Sequence, residues 1–258
     1  MPVNDSLGTR MKEYYEAIPK TKLMRRTPVA IRLDGKAFHT FTKGFKKPFD
    51  EILIQTMQDT MKYLCSNIQG CVLGYTQSDE ITLILVDYQT LETDAWFDYE
   101  VQKMCSVSAS MATMAFNKYF SANIALKQDK CDNEYLWTLR KAEMCGAMFD
   151  ARVFNIPKEE VTNLIYWRQL DAARNSIQMV GQAYFSQKQL HKKTCNMIQE
   201  MLHEQKGINW NDFPTHQKRG SCCIKTSYQK PTWVVDLEIP MFKGEDRDYI
   251  ERLIHYED

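Results

Sequence analysis

Two short acidic motifs stand at the ends of apolar runs in the first third of the chain, and their residue types suit cations and phosphates. The first is Arg32-Leu33-Asp34-Gly35, where the run Pro28-Val29-Ala30-Ile31 breaks at Asp-Gly, the pattern of a strand that delivers Asp34 to its own end. The second is Gln77-Ser78-Asp79-Glu80, a polar tetrad between the apolar runs 71–75 and 81–85. It reads as a hairpin with Ser78, Asp79 and Glu80 at its turn. Two carboxylates at adjacent strand ends, beside an Asp-Gly backbone turn, offer hard oxygen ligands for Mg²⁺. Two-metal nucleotidyl-transfer sites hold a triphosphate in this way. Asp, Ser and Gly are equally ordinary turn residues, so the pattern alone leaves both readings standing.

The elements that would position these motifs follow from periodicity. Between them, residues 49–68 carry apolar side chains at Ile52, Leu53, Met57, Met61, Leu64 and Cys65, a helical spacing. Thr93-Asp94 can cap a long helix to about Tyr119, whose small-residue middle suits close packing on a sheet, while 121–140 reads as a connecting excursion. Residues 146–157 read as a strand closed by proline. Strand, helix, strand, strand, helix, strand is the split βαβ order. The expected class is therefore α/β (α+β), a ferredoxin-like layer with a four-stranded antiparallel sheet and helices on one face. Acids on the first strand and the central hairpin of such a layer make the arrangement of a polymerase palm.

Around this core, Ser6 can cap a helix over 7–17, ended by Pro19. The loop 38–48 holds three aromatics expected to pack beneath it and three lysines; His39 reads as a nucleotide contact or a satisfied structural histidine rather than a general base. From Lys158 the pattern becomes helical, amphipathic over 164–177. A later helix stops near Gly207, 210–220 is loop, and 221–225 with 232–239 forms a hairpin. The expected organisation is a palm-like catalytic region over 1–157, with 158–258 packed directly on it as one compact unit.

Composition sets the bounds: 258 residues, 44% hydrophobic and 26% charged, describe a soluble globular chain. No apolar run approaches the roughly 20 residues of a membrane span, and the Met-Pro-Val-Asn-Asp start lacks the regions of a signal peptide. The expected compartment is the cytoplasm, with no membrane partner. Eight cysteines without a Cys-x-x-Cys pair read as reduced, buried thiols. With 33 basic and 33 acidic residues, the global field does not announce a nucleic-acid binder. Local basic segments at 20–26, 43–47, 188–193 and 218–230 must carry any such role, and 20–26 is either a solvated surface or a phosphate contact.

Arg32-Leu33-Asp34-Gly35 with Phe38-His39, then Gln77-Ser78-Asp79-Glu80, Phe149-Asp150-Ala151-Arg152, and Trp167-Arg168-Gln169 followed by Asp171 and Asn175 together resemble the tRNA-histidine guanylyltransferase superfamily over nearly the whole chain. The resemblance implies an enzyme that adds nucleotides to the 5′ end of tRNA in the 3′-to-5′ direction. It implies two Mg²⁺ ions held by Asp34, Asp79 and the Gly35 carbonyl, with Glu80 as a further catalytic residue. The nucleoside triphosphate, ATP, GTP or another, would lie over Asp34, Gly35, Lys36, Ala37, Phe38 and His39, with Ser78, Asp79 and Lys47 in contact. The partner would be tRNA and the assembly a homotetramer.

Arg168, Asp171 and Asn175 share one helical face by spacing. That face is either a buried polar network or, with Lys103, part of the site for tRNA or a second nucleotide. Eukaryotic members that add the extra guanosine to tRNA-histidine carry His-Ile-Asn-Asn-Leu-Tyr-Asn after the Asp; here Asp171 is followed by Ala172-Ala173-Arg174-Asn175-Ser176-Ile177-Gln178. The departure is similar to the bacterial and archaeal guanylyltransferase-like branch, which implies template-dependent 5′-end repair, with untemplated guanosine addition as the alternative. A nucleotide cyclase would use the same acids, but the turn is Gln-Ser-Asp-Glu rather than Gly-Gly-Asp/Glu-Glu-Phe. A non-catalytic tRNA-binding module is the remaining reading, against which both acids argue.

Overall fold

The computed structural model describes residues 6–226 and 231–256; the Met-Pro-Val-Asn-Asp start and the Lys230 end of the last basic segment lie outside them. The strands are β1 (Val29–Gly35), β2 (Cys71–Gln77), β3 (Glu80–Leu85), β4 (Phe149–Asn155), β5 (Ser221–Lys225) and β6 (Trp233–Asp236). The helices include α1 (Ser6–Met11), α2 (Phe38–Phe41), α3 (Glu51–Asn67), α4 (Val101–Lys127), α5 (Asn133–Cys145), α6 (Lys158–Tyr184), α7 (Gln187–Leu190), α8 (Cys195–Lys206) and α9 (Thr215–Arg219). Among the described residues no helix is long and apolar enough to cross a membrane.

β1 pairs antiparallel with β3 on one side and β4 on the other, and β2 pairs outside β3. The order β4-β1-β3-β2 is the ferredoxin-like layer that the chain order implies. The sheet does not stop at four strands. β5 pairs with β2, Gly74 to Thr76 lying opposite Cys223 to Ser221, and β6 pairs with β5, so the sheet has six strands. Nor are the helices confined to one face. Val29, Ile31, Leu33, Ile81 and Leu83 face α3 and α4, whereas Ala30, Ile84, Tyr75 and Cys222 pack with Val161 and Ile165 of α6. Strand alternation sends successive side chains to opposite layers.

Asp50 starts α3 by accepting the Ile52 and Leu53 N–H groups at 3.0 and 3.1 Å, a cap worth about 1 kcal/mol. The helix buries Ile52, Met57, Met61, Leu64 and Cys65, each large apolar side chain contributing roughly 1.5–3 kcal/mol. It lies so close to β2 that a Cβ on Gly74 would meet Met61 Cγ at 2.8 Å. Phe38, Phe41 and Phe45 pack beneath their loop on Phe116, Phe120 and Phe149 at centroid distances of 5.3 to 5.9 Å.

α4 begins at Val101 rather than at a Thr93-Asp94 cap, and it runs to Lys127. Thr93 serves its own turn instead, its hydroxyl accepting the Thr90 N–H at 3.0 Å. Residues 121–140 are no excursion: they hold the end of α4 and most of α5, which Asp132 caps by accepting the Tyr135 N–H at 2.8 Å. Only Tyr135, Leu139 and Ala142 of α5 are buried, a stripe too narrow to announce a helix. The loop expected over 210–220 holds the short α9, and Gly207 ends α8 in the left-handed conformation (φ 65°).

All eight cysteines are free, but burial is uneven: Cys65, Cys71, Cys222 and Cys223 are buried, and Cys145 is exposed. The basic lead-in 20–26 is tied down structurally. Arg25 Nε and the Arg26 N–H donate to buried Asp87 at 2.6 and 2.9 Å, and Lys22 pairs with Asp98. It sits at the start of β1, roughly 20 Å of strand from Asp34, and its arginines are engaged by protein groups.

Candidate active site

The strand register builds the site row by row. Asp34 lies opposite Glu80 on β3 and Asp150 on β4, and the next row that faces α6 holds Arg32, Thr82 and Arg152. Like charges directly opposite each other are unfavourable. Accordingly the Asp34 carboxyl is pushed above its ordinary value, first by burial and then by Glu80 and Asp150, while Arg152 and Arg32 pull it partly back. Asp79 is also pushed up, by burial above all, with its Ser78 hydrogen bond opposing.

Glu80 is treated differently. Its Oε1 accepts from Arg32 at 2.5 Å and its Oε2 accepts from Arg168 of α6. Arg168 also donates to Asp171 at 2.9 Å, and Asp171 accepts from Arg174 at 2.6 Å. Arg32, Glu80, Arg168, Asp171 and Arg174 thus form one chain of alternating charge, and Arg32 and Arg168 lie over the Trp167 ring at 5.4 and 4.6 Å. Among the described residues, Asp34, Asp79 and Asp150 take no part in an ion pair.

Backbone contacts fix Asp34 and Asp79. The Gly35 N–H donates to the Asp79 carbonyl at 3.1 Å, joining the end of β1 to the hairpin turn, and the Lys36 N–H donates to the Met148 carbonyl at 2.9 Å. Ala37 and Ser78, flanking this junction, both have φ of 54°, which costs an L-residue about 1–2 kcal/mol. Strain of this kind gathers where a fold fixes a site. Glycine is required at position 35 because a Cβ there would collide with the Phe38 ring.

A cleft of about 400 Å³ opens beside the junction, lined by Phe38, His39, Lys47, Ser78 and Asp79, and also by Thr42, Lys46, Met179 and Gln182. His39 is exposed and lines the cleft, so it is not a satisfied structural histidine. The loop that carries Lys47 is fastened by Asp50, which accepts the Lys46 N–H at 3.0 Å and the Tyr135 hydroxyl at 2.5 Å. Burial and that contact push the Tyr135 phenol far up.

Not every expected residue gathers here. Lys36 and Ala37 line a second groove across the turn. Lys103 stands at the far end of the sheet, its ammonium 4.6 Å over the Phe97 ring, near where the Val101 N–H donates to the Thr21 carbonyl. Arg168 and Asp171 reach the site through Glu80, and Asn175 is exposed one turn later on α6. Lys46, Met179 and Gln182 escaped the sequence reading. The signal for Gln182 was its spacing of seven from Asn175 along the same helix.

The donor set suits Mg²⁺. Among the described residues no group of three or more His, Cys, Asp or Glu side chains closes on one point. Mg²⁺ does not need one, since it takes one or two carboxylates and completes its shell with waters and substrate phosphates. Asp34 and Asp79, half-buried, unpaired and raised, are two such carboxylates.

A family profile described as tRNAHis guanylyltransferase (Thg1) matches residues 8–157. The chain belongs to the tRNAHis guanylyltransferase family. It is a nucleotidyltransferase that adds nucleotides to tRNA. Similar solved structures of the family include a bacterial tRNA(His) guanylyltransferase (Thg1)-like protein in complex with ATP, 43% identical with a TM-score of 0.83 over 97% of this chain and 99% of that one. One in complex with GTP is 41% identical, with a TM-score of 0.78 over 98% and 100%. The tRNA(His) guanylyltransferase of Saccharomyces cerevisiae is 27% identical over 75% of this chain and 80% of its own. An uncharacterized protein, R259, of Acanthamoeba polyphaga mimivirus is 30% identical over 84% and 76%. The tRNAHis guanylyltransferase profile ends where the fourth strand of the ferredoxin-like layer closes.

Proposed function

We propose that this member of the family extends the 5′ end of tRNA in the 3′-to-5′ direction and chooses each nucleotide by pairing with the opposing strand, as 5′-end repair requires. The observation that carries the reading is the α6 segment 171–177. Asp171 is consumed by Arg168 and Arg174, Ala172, Ser176 and Ile177 are buried, and the exposed uncharged polar side chains are Asn175 and, just beyond, Gln178. A segment so occupied with packing has little left with which to select a guanosine by itself. The likeness to bacterial Thg1-like proteins over nearly the full chain supports the same branch.

ATP or GTP would occupy the cleft beside Asp79, with Lys46 and Lys47 near its phosphates. Asp34 and Asp79, with the Gly35 carbonyl, would hold two Mg²⁺ ions, which when bound lower the pKa of the attacking hydroxyl and neutralise triphosphate oxygens. An oxygen of the tRNA 5′-monophosphate attacks the α-phosphorus of ATP, and the bond to pyrophosphate breaks. The 3′-hydroxyl of the incoming nucleotide then attacks the activated 5′-phosphorus and AMP leaves. A 5′-triphosphate end needs no activation. Glu80, held by two arginines, would act as a positioning residue that keeps the hairpin turn in place, and small misplacements of reacting groups are costly. Asn175 would meet the tRNA end or the second nucleotide. We place the protein in the cytoplasm as a homotetramer.

The test uses a tRNA lacking its first nucleotide, prepared with each of the four opposing bases and offered all four triphosphates. Pairing-dependent incorporation is expected. Addition of guanosine whatever the opposing base would replace this reading with untemplated tRNA-histidine guanylylation, and no incorporation into any tRNA would leave a binding module.

A further inference from the structure

Across the Lys36–Ala37 turn from the nucleotide cleft lies a second groove of about 550 Å³, between the 36–44 segment and α5. Its lining includes Lys36, Lys43 and Lys141 together with Trp137, Thr40 and Thr138, and no acidic residue. Trp137 is 66% exposed, and the Lys141 ammonium lies 5.5 Å from its ring centre. Nothing in the reaction described above uses these side chains. An exposed indole costs solvation that a folded chain ordinarily avoids, and three ammonium groups without a carboxylate repel one another unless an anion joins them. Aromatic rings flanked by cations are the means by which proteins hold unpaired nucleic acid: bases stack on the ring, and phosphates meet the lysines.

The position narrows the choice of strand. Lys36 and Ala37 line this groove, Phe38 and His39 line the nucleotide cleft, and Asp34 lies two residues before them. One turn of backbone separates the two. The unpaired strand that accompanies a tRNA 5′ end is the 3′ end that runs past the last acceptor base pair. We propose that the Trp137 groove binds the single-stranded 3′ end of the tRNA, which anchors the acceptor stem while its 5′ end is extended. The proposal rests on the reading of the protein as a tRNA nucleotidyltransferase.

Fluorescence anisotropy tests it with labelled tRNA that either keeps or lacks its unpaired 3′ nucleotides, against wild type, Trp137→Ala and Lys141→Glu. Both positions are exposed, so neither substitution opens the core. Removing the 3′ nucleotides should weaken wild-type binding about ten-fold, the scale of one stacked base. Each variant should lose about as much on full-length tRNA and nothing on trimmed tRNA. Equal losses on both tRNAs, or none on either, would overturn the proposal. So would a change of assembly by light scattering at unchanged RNA affinity, because the exposed Trp137, Met144 and Met148 would then belong to a contact between copies. Failure of wild type to extend any tRNA would strike the proposed reaction, while the binding comparison would still read the groove.

Discussion

Arg168 reaches from α6 to Glu80 on β3, so the helix that covers the sheet is bonded to the residue immediately after Asp79. Arg168 is 8% exposed, and its guanidinium also holds Asp171.

Replacing Arg168 by Ala should therefore destabilise the protein. Removing one partner of a buried ion pair costs roughly 3–5 kcal/mol. Here the Glu80 and Asp171 side chains are 22% and 27% exposed, and water would relieve them in part, so about 2–3 kcal/mol is expected. Urea unfolding measures it. Both carboxylates are met by one nitrogen, Nη2, so Arg168→Lys, whose ammonium also carries several donors, should recover part of the loss, the remainder reflecting its different reach and the lost stacking on Trp167. An unchanged midpoint in the alanine variant would show that the pair does not hold the helix to the sheet.

Asp34→Asn and Asp79→Asn should each abolish nucleotide addition, yet melt at or above the wild-type temperature in the absence of Mg²⁺ and nucleotide. Activity near wild type in either would remove the two-carboxylate site.

The pH dependence of that stability difference has a definite sign. Both carboxyls are raised by the fold, so at neutral pH the native state carries the full cost of keeping them ionised. As pH falls through the raised native value, the native carboxyl takes its proton before the unfolded one does. The cost is gone below about 3.9, the ordinary Asp value. Melting scans from pH 7 towards pH 4 should show the advantage of each asparagine variant narrowing; an advantage that widens on acidification would contradict the assigned directions.

Asn175 is exposed on α6. Asn175→Ala should leave stability within about 0.5 kcal/mol, as surface substitutions do, and slow nucleotide transfer. Thermal melting and single-turnover kinetics on the same sample separate the two effects. A lowered melting temperature with unchanged kinetics would return Asn175 to a structural role.

Much of this was legible from local pattern. Asp34 and Asp79 could be paired in advance because each ends an apolar strand run, and the intervening helix has a wide buried stripe and an Asp50 cap. The polar face of α6 was legible too, by its spacing of three and four. Its partner was not, since Glu80 lies 88 residues away and no local signal names it. The start of α4 was misjudged because Thr93-Asp94 has the composition of a helix cap, while Thr93 closes a turn with Thr90. α5 was missed because its outer face interrupts the polar pattern with exposed Trp137 and Met144.

The C-terminal hairpin adds a consequence of its own. A layer ending at β4 would leave the outer side of β2 bare, with the backbone groups of Gly74 to Thr76 open beside buried Tyr75. An open strand edge recruits other chains and begins aggregates. β5 occupies that edge, and the sheet finishes instead at the four-residue β6, too short to template another strand. Residues 158–258 therefore close that side of the sheet, and truncation near Pro157 should yield a fragment that self-associates rather than a smaller enzyme.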